Sequence, residues 1–146
     1  MDPNALNLGM KNDCVNGHYG FIAAWGPQRL ATLGMVVADG KGGILGTQKI
    51  NMGTNQFIQA DFTGSYNVAP NGYVDVHFKF SLPAPDGSRI PVEAVFVFVL
   101  TKVQDIKGMP IATELRGVDT SPGLDFSTGQ PLQPPALGVG LFSRLF

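Results

Sequence analysis

The two residues with the clearest capacity for chemistry are Tyr19 and Tyr66. Both lie in stretches where apolar and polar residues alternate, and each belongs to the apolar set, so its phenol is expected to be buried. A buried phenol needs a hydrogen-bond partner. That partner is either a neighbouring backbone group, which is the more frequent arrangement for buried polar groups, or the carbonyl oxygen of a bound molecule. In the second case the phenol would polarise the carbonyl. Tyr19 and Tyr66 are therefore the first catalytic candidates.

A second candidate pair is Glu114 and Arg116, which share one face of an extended stretch because side chains alternate along a strand. That face also contains Ala112 and Val118, whereas the opposite, more apolar face carries Ile111, Thr113 and Leu115. Turned inward, the pair would serve acid–base chemistry or anion binding. Because charged side chains are rarely buried, we expect an outward, exposed ion pair.

The remaining reactive side chains form no constellation. His77 alternates with charged neighbours and is predicted to be exposed, and His18 is placed near the rim of the fold. Cys14 is the single cysteine and has no histidine or acid at a spacing that would build a nucleophilic site. We therefore expect no disulfide within the chain, no metal site and no cofactor.

The strongest structural signal is the stretch 74–82, in which every even-numbered residue is apolar and every odd-numbered residue is polar. A strand puts these two sets on opposite faces, whereas a helix would scatter them. Further stretches, bounded by glycine, proline and Asn-Gly or Asp-Gly turn signals, are also interpreted as strands: 17–25, 29–38, 44–52, 57–68, 92–102 and 111–118.

This pattern predicts an all-β fold, a small antiparallel up-and-down barrel of seven or eight strands, because closure removes exposed edges. A two-sheet sandwich is the alternative. We expect a lead-in at 1–16, the barrel at 17–119 and a Pro-rich C-terminal tail at 120–146 that packs on the barrel or on a partner subunit. The apolar end of the tail is either an eighth strand or a segment packed on the outside.

Aromatic rings dominate the apolar faces of the predicted strands. Barrels of about eight strands lie at the boundary between interiors filled by side chains and interiors that hold a ligand. Small residues beside the rings, such as Ala23 and Ala94, favour a hollow interior. The ligand-binding candidates are Phe21, Trp25, Phe62, Phe78, Phe80, Phe96 and Phe98.

A recurrent pattern of glycine and aromatic residues resembles a known group of proteins. The residues are Asn16-Gly17-His18-Tyr19-Gly20-Phe21, Asp39-Gly40-Lys41-Gly42, Gly46-Thr47 and Phe62-Thr63-Gly64-Ser65-Tyr66-Asn67-Val68. The pattern resembles small bacterial lipocalin-like, or calycin-like, barrels, which are similar in architecture to allene oxide cyclase. The resemblance implies a cup-shaped cavity for an apolar small molecule. The Pro-rich end after Asp119 departs from the pattern.

Three functions stay open from the residues and the resemblance. They are a cofactor-independent cyclase or isomerase of a natural-product-like substrate, a non-catalytic carrier of a hydrophobic ligand, and a filled barrel serving as an interaction module. Fold alone does not choose between them.

Charge and hydropathy limit the partners. The net charge is −1 and no basic run occurs, so we expect no nucleic-acid partner. The sequence shows neither a signal peptide nor a long apolar run, so we expect no membrane span and a cytoplasmic location.

If Phe96 and Phe98 point inward, then Val95, Val97 and Val99 form an outward apolar row, which predicts a homodimer or coverage by the tail.

Overall fold

The computed structural model describes residues 6–26, 30–53, 57–121, 124–125, 130–131 and 137–146. No helix among these residues is long and apolar enough to cross a membrane. A short 3-10 turn, Asn12–Cys14, precedes the strands. The strands are β1 (Asn16–Gly26), β2 (Leu30–Asp39), β3 (Gly43–Asn51), β4 (Phe57–Val68), β5 (Tyr73–Pro83), β6 (Arg89–Ile106), β7 (Met109–Asp119), β8 (Leu124–Asp125), β9 (Gln130–Pro131) and β10 (Leu137–Arg144).

Within the described residues, eight strands close into an antiparallel barrel in the order β1-β10-β7-β6-β5-β4-β3-β2, and β8 pairs separately with β9. The predicted barrel is confirmed, and the sandwich alternative is not the fold. Consecutive strands from β1 to β7 are neighbours in the barrel, as in a meander. Closure leaves none of these eight strands with an unpaired edge.

The C-terminal strand β10 completes the barrel between β1 and β7. Phe142 stands opposite Phe21 on β1 and Leu115 on β7. The barrel therefore extends to Arg144, beyond the boundary at residue 119 expected from the sequence, and the eighth-strand alternative is the one found. Of the prolines in the predicted tail, Pro131 lies in β9. The others lie outside the described residues: Pro122, Pro134 and Pro135.

The largest difference from the predicted strand limits lies at the hairpin between β6 and β7. The strand β6 continues to Ile106, well past the predicted end at residue 102, and β7 begins at Met109. Lys107 and Gly108 join them with positive φ angles of 55° and 81°, as a tight two-residue hairpin requires. The predicted start of the second strand, Arg29, lies outside the described residues.

An irregularity between β6 and β7 changes which β7 side chains face inward. The register shifts between Leu100 and Lys102 and again before Val103, so simple alternation fails there. As a result Ala112 is fully buried together with Leu115. The prediction that Ala112 shares the outer face with Glu114 is therefore wrong.

Inward-facing glycines make room for the rings of the neighbouring strands. A Cβ added at Gly46 would lie 2.6 Å from Cζ of Phe62, and one added at Gly117 would lie 2.6 Å from Cδ1 of Phe98. Each ring can thus lie across the bare backbone beside it. The opposed ring–glycine pairs are Phe21–Gly34, Phe62–Gly46, Phe78–Gly64, Phe98–Gly117 and Trp25–Gly138.

One half of the barrel is solid and closed by the lead-in. The hydroxyl of Tyr66 donates to the carbonyl oxygen of Val15 (2.6 Å), and the backbone N–H of Val68 donates to Oδ1 of Asn12 (2.7 Å). Buried aliphatic side chains fill the space beneath this cap: Val36, Ala38, Ile44, Val68, Val74, Val76 and Leu115. The described residues of this half therefore leave no space of ligand size.

Candidate ligand-binding cavity

The half of the barrel remote from the lead-in contains a cavity of about 250 Å³. The filled and hollow alternatives are thus both realised, one at each end of the barrel. The cavity wall is mostly apolar, and all the aromatic residues singled out from the sequence contribute to it: Phe21, Trp25, Phe62, Phe78, Phe80, Phe96 and Phe98.

The rings hold one another in a network of edge-to-face contacts. Phe62 meets Phe21 and Phe78 at centroid distances of 5.5 Å, and Phe78 meets Phe96 at 5.8 Å. Such tilted pairs are favoured because the positive ring edge meets the negative ring face. The wall is therefore a set of interlocked planar surfaces, which suits an apolar ligand with flat parts.

Phe142 separates the cavity from the solid half. Its ring stacks on Phe98 at 4.8 Å and meets Phe21 and Phe78 edge-on at 5.6 and 6.0 Å. It lines the cavity on one side and contributes to a small void of about 10 Å³ beside Tyr19 on the other. Phe142 thus forms the floor of the cavity.

A buried polar pair, Thr32 and Gln48, interrupts the apolar wall. Both residues line the cavity and are only 5% and 6% exposed. The hydroxyl of Thr32 donates to Oε1 of Gln48 at 2.9 Å, and it also lies 3.2 Å from the carbonyl oxygen of Lys49. The amide of Gln48 is thereby held in one orientation at the wall.

A carboxylate, Asp119, lies on the wall beside the single tryptophan. The indole N–H of Trp25 donates to Oδ2 of Asp119 at 2.6 Å. The backbone N–H and the hydroxyl of Ser121 both donate to Oδ1 of the same carboxylate. Both carboxylate oxygens therefore have donors, and Trp25 is fixed as a rigid part of the wall.

The two candidate tyrosines do not line this cavity. The hydroxyl of Tyr19 donates to the carbonyl oxygen of Ala112 at 2.6 Å, and that of Tyr66 donates to Val15, both in the solid half. Of the two partners considered from the sequence, the backbone is the one found. Burial raises the pKa of Tyr19 to about 12 and also raises the pKa of Tyr66. The phenols therefore hold the closed end together.

The Tyr19 phenol predicts a loss of stability at alkaline pH. Its pKa in the folded chain is about 12, above the ordinary value of 10.0. As the pH rises through this window, the unfolded chain loses the proton first, so unfolding becomes more favourable. Between about pH 8 and about pH 11 we expect this group to lower the free energy of unfolding by about 1 kcal/mol.

Urea unfolding of the wild type and of Tyr19→Phe at both pH values measures this effect. The Tyr19→Phe variant should start less stable and then lose less stability on the alkaline side. Tyr73→Phe, at an exposed position, is the matched control and should follow the wild type. If the free energy of unfolding depended on pH equally in the wild type and Tyr19→Phe, the buried phenol of Tyr19 would not be the cause of the alkaline loss.

The other candidates lie away from the cavity. Glu114 and Arg116 face outward, and Nε of Arg116 lies 3.0 Å from Oε1 of Glu114. A hydrogen bond from Thr101 lowers the pKa of Glu114, and a hydrogen bond from Arg116 lowers it further. His77 lies 3.7 Å from Glu93 on the outer surface. His18 is exposed and stacks on Phe146. The pair lies on the outer face of the barrel, as expected, but the Glu114 side chain is only 14% exposed.

Cys14 is 1% exposed, and its Sγ lies 3.6 Å from Sδ of Met10. Within the described part of the chain, no three His, Cys, Asp or Glu side chains come together as a set that could hold a metal ion.

The wall residues that were not expected from the sequence include three polar residues and the aromatic floor: Thr32, Gln48, Asp119 and Phe142. The alternation contained the signal for two of them. Thr32 lies in phase with Val36, and Gln48 lies in phase with Ile44 and Ile50, so both occupy inward positions despite their polarity. A polar residue in the apolar phase of a strand therefore indicates a polar group on the inner wall.

Comparisons with family models, with curated proteins and with solved structures give no match. The fold and the site together define a class: a closed eight-stranded antiparallel barrel that is solid at one end and hollow and aromatic at the other. The resemblance to lipocalin-like barrels and to allene oxide cyclase stays a prediction.

Proposed function

We propose that this protein binds an apolar small molecule in the aromatic cavity. The observation that carries the proposal is the cavity of about 250 Å³, whose wall is built from interlocked rings. Small-molecule sites are typically concave, mainly apolar and provided with a few placed polar groups. The Thr32–Gln48 pair and the Asp119 carboxylate supply such groups here. A carrier or receptor needs nothing further.

Binding of the neutral dye N-phenyl-1-naphthylamine tests the proposal, because its fluorescence rises in apolar surroundings. We expect saturable binding at one site per chain. Ala94→Phe places a ring in the cavity beside Phe78 and should weaken binding by about tenfold or more. Ser65→Phe, on the exposed outer face of β4, is the matched control and should leave binding unchanged.

Circular dichroism must show that both variants are folded. Equal affinity of the dye for the wild type and a folded Ala94→Phe variant would contradict cavity binding. It would favour the filled barrel that serves as an interaction module.

The Asp119 carboxylate on the cavity wall favours a second candidate function, that of a cofactor-independent cyclase or isomerase of a natural-product-like substrate. A fixed negative charge beside an apolar cavity stabilises positive charge that develops in a bound intermediate. The walls would also restrict the substrate to a reactive conformation. Gln48 would polarise a substrate carbonyl in place of Tyr19 or Tyr66, because Gln48 lines the cavity and the two tyrosines do not.

A homodimer is part of the proposal, because one side of the barrel is apolar on its outer surface. The five adjacent strands β6, β7, β10, β1 and β2 present this face, and the register places Val118 beside Val139 and Ile22 beside Leu33. These four side chains are 52–61% exposed. Arg116 lies within this face, between Val99 on β6 and Leu141 on β10, and Asp39 lies at the end of β2. An exposed apolar patch of this kind is typical of a protein–protein interface, in which arginine is also frequent.

Native mass spectrometry of the purified protein tests both the self-association and the presence of a bound small molecule. A dimer mass supports the self-association, and a monomer mass contradicts it. A bound compound released on activation supports the carrier. Incubating that extracted compound with fresh protein and with Asp119→Asn then tests turnover, since a cyclase or isomerase converts it to a product of equal mass.

A further inference from the structure

Gln48 is the polar group of the cavity whose hydrogen-bonding capacity is incompletely used. Its Oε1 accepts from Thr32, but none of the described residues accepts a hydrogen bond from its Nε2. At the same time, no fully buried side-chain nitrogen or oxygen lacks a hydrogen-bond partner in the described part of the chain. The Nε2 group of Gln48 must therefore border open space, and the space it borders is the cavity.

An unpaired amide N–H at an apolar wall is costly unless a bound molecule supplies an acceptor. Thr32 fixes the amide by engaging Oε1, which leaves the two N–H donors of Nε2 turned to the other side. Ala60 faces Gln48 from the neighbouring strand and carries no polar side-chain atom that could compete. The group is thus oriented as a donor toward whatever fills the cavity.

We propose that the ligand is an apolar molecule with flat parts and one acceptor oxygen, a ketone or similar carbonyl, which receives a hydrogen bond from Nε2 of Gln48. This inference rests on the proposed binding function and adds the chemical class of the ligand. The rings supply affinity for its apolar part, and the Gln48 amide selects for the oxygen. A hydrocarbon of the same shape would leave the amide unpaired and bind more weakly.

Benzophenone and diphenylmethane form a matched pair of probes, since they carry the same two rings and differ by a carbonyl in place of a methylene. Their affinities are measured by displacement of N-phenyl-1-naphthylamine. We expect the wild type to prefer benzophenone by about tenfold, as one hydrogen bond in a dry site allows. In Gln48→Leu this preference should disappear. In Gln59→Leu, at an exposed position on the outside of β4, it should remain.

A second readout follows the amide directly. The side-chain NH₂ signal of Gln48 in a ¹H–¹⁵N spectrum, assigned by its absence in Gln48→Leu, should shift with benzophenone more than with diphenylmethane. This measurement needs only the wild type to be folded with the probe bound.

The outcomes separate the two proposals. Equal affinity for both probes would overturn the role of Gln48 and leave apolar binding in place. Failure of both probes to displace a dye that binds in the cavity would overturn the inference and leave apolar binding in place. Failure of the dye to bind would overturn the proposed function together with the inference.

Discussion

Replacing Phe142 with alanine is expected to lower the free energy of unfolding by about 3–5 kcal/mol. The ring is 7% exposed and contacts Phe98, Phe21 and Phe78. Its removal leaves a void at the cavity floor that the interlocked rings cannot close without giving up their own contacts. Urea unfolding followed by circular dichroism measures the loss.

Phe146→Ala is the matched control, because it removes the same side chain four residues further on. Phe146 is 74% exposed, so its removal should change stability by no more than about 0.5 kcal/mol. If Phe142→Ala matched Phe146→Ala, strand β10 would not be part of the cooperative core. Should Phe142→Ala fail to fold, Phe142→Leu should give a smaller loss in the same direction.

The strand positions and the aromatic wall could be predicted because both depend on local alternation. Phe62 and Phe78 lie in phase with the apolar residues of their own strands, and no knowledge of the partner strand is needed. The strand β6 is apolar on both faces, so alternation alone does not orient Phe96 and Phe98. The all-β barrel follows from seven such strands joined by short turns, with closure as the way to remove edges.

The rest depends on contacts between distant parts of the chain. The Tyr19 hydroxyl donates to the carbonyl oxygen of Ala112, which lies 93 residues away and next to the irregularity between β6 and β7. A period of two carries no information about such a shift. The solid and hollow halves also cannot be distinguished locally, since the lead-in decides which end is capped.

Polarity misled the assignment of the cavity wall in one respect. Glutamine is mostly exposed in proteins, so residue type alone gives no reason to place Gln48 on the inner wall. Its partner Thr32, on the adjacent strand, makes burial acceptable, and the pair becomes visible only once β2 and β3 are in register. The same holds for Asp119, whose carboxylate is stabilised by donors from Trp25 and Ser121.

The ring–glycine pairing predicts a second large effect, at Gly46. A Cβ on this residue would lie 2.6 Å from Cζ of Phe62 and closer still to the carbonyl oxygen of Met35. Because the carbonyl belongs to the ladder between β2 and β3, the backbone cannot move away without breaking hydrogen bonds. We expect Gly46→Ala to lower the free energy of unfolding by about 1–3 kcal/mol, although alanine suits a strand better than glycine.

Gly26→Ala is the matched control for the substitution at Gly46. An added Cβ at Gly26, at the end of β1, meets no atom of the described residues within 4 Å, so stability should hold or rise slightly. Displacing the Phe62 ring also moves the cavity wall, and Gly46→Ala should therefore bind N-phenyl-1-naphthylamine more weakly while Gly26→Ala binds it normally. Equal unfolding energies for the two variants would show that the rings do not depend on the glycines. A destabilised Gly46→Ala with unchanged dye affinity would place the strain in the Met35 backbone alone.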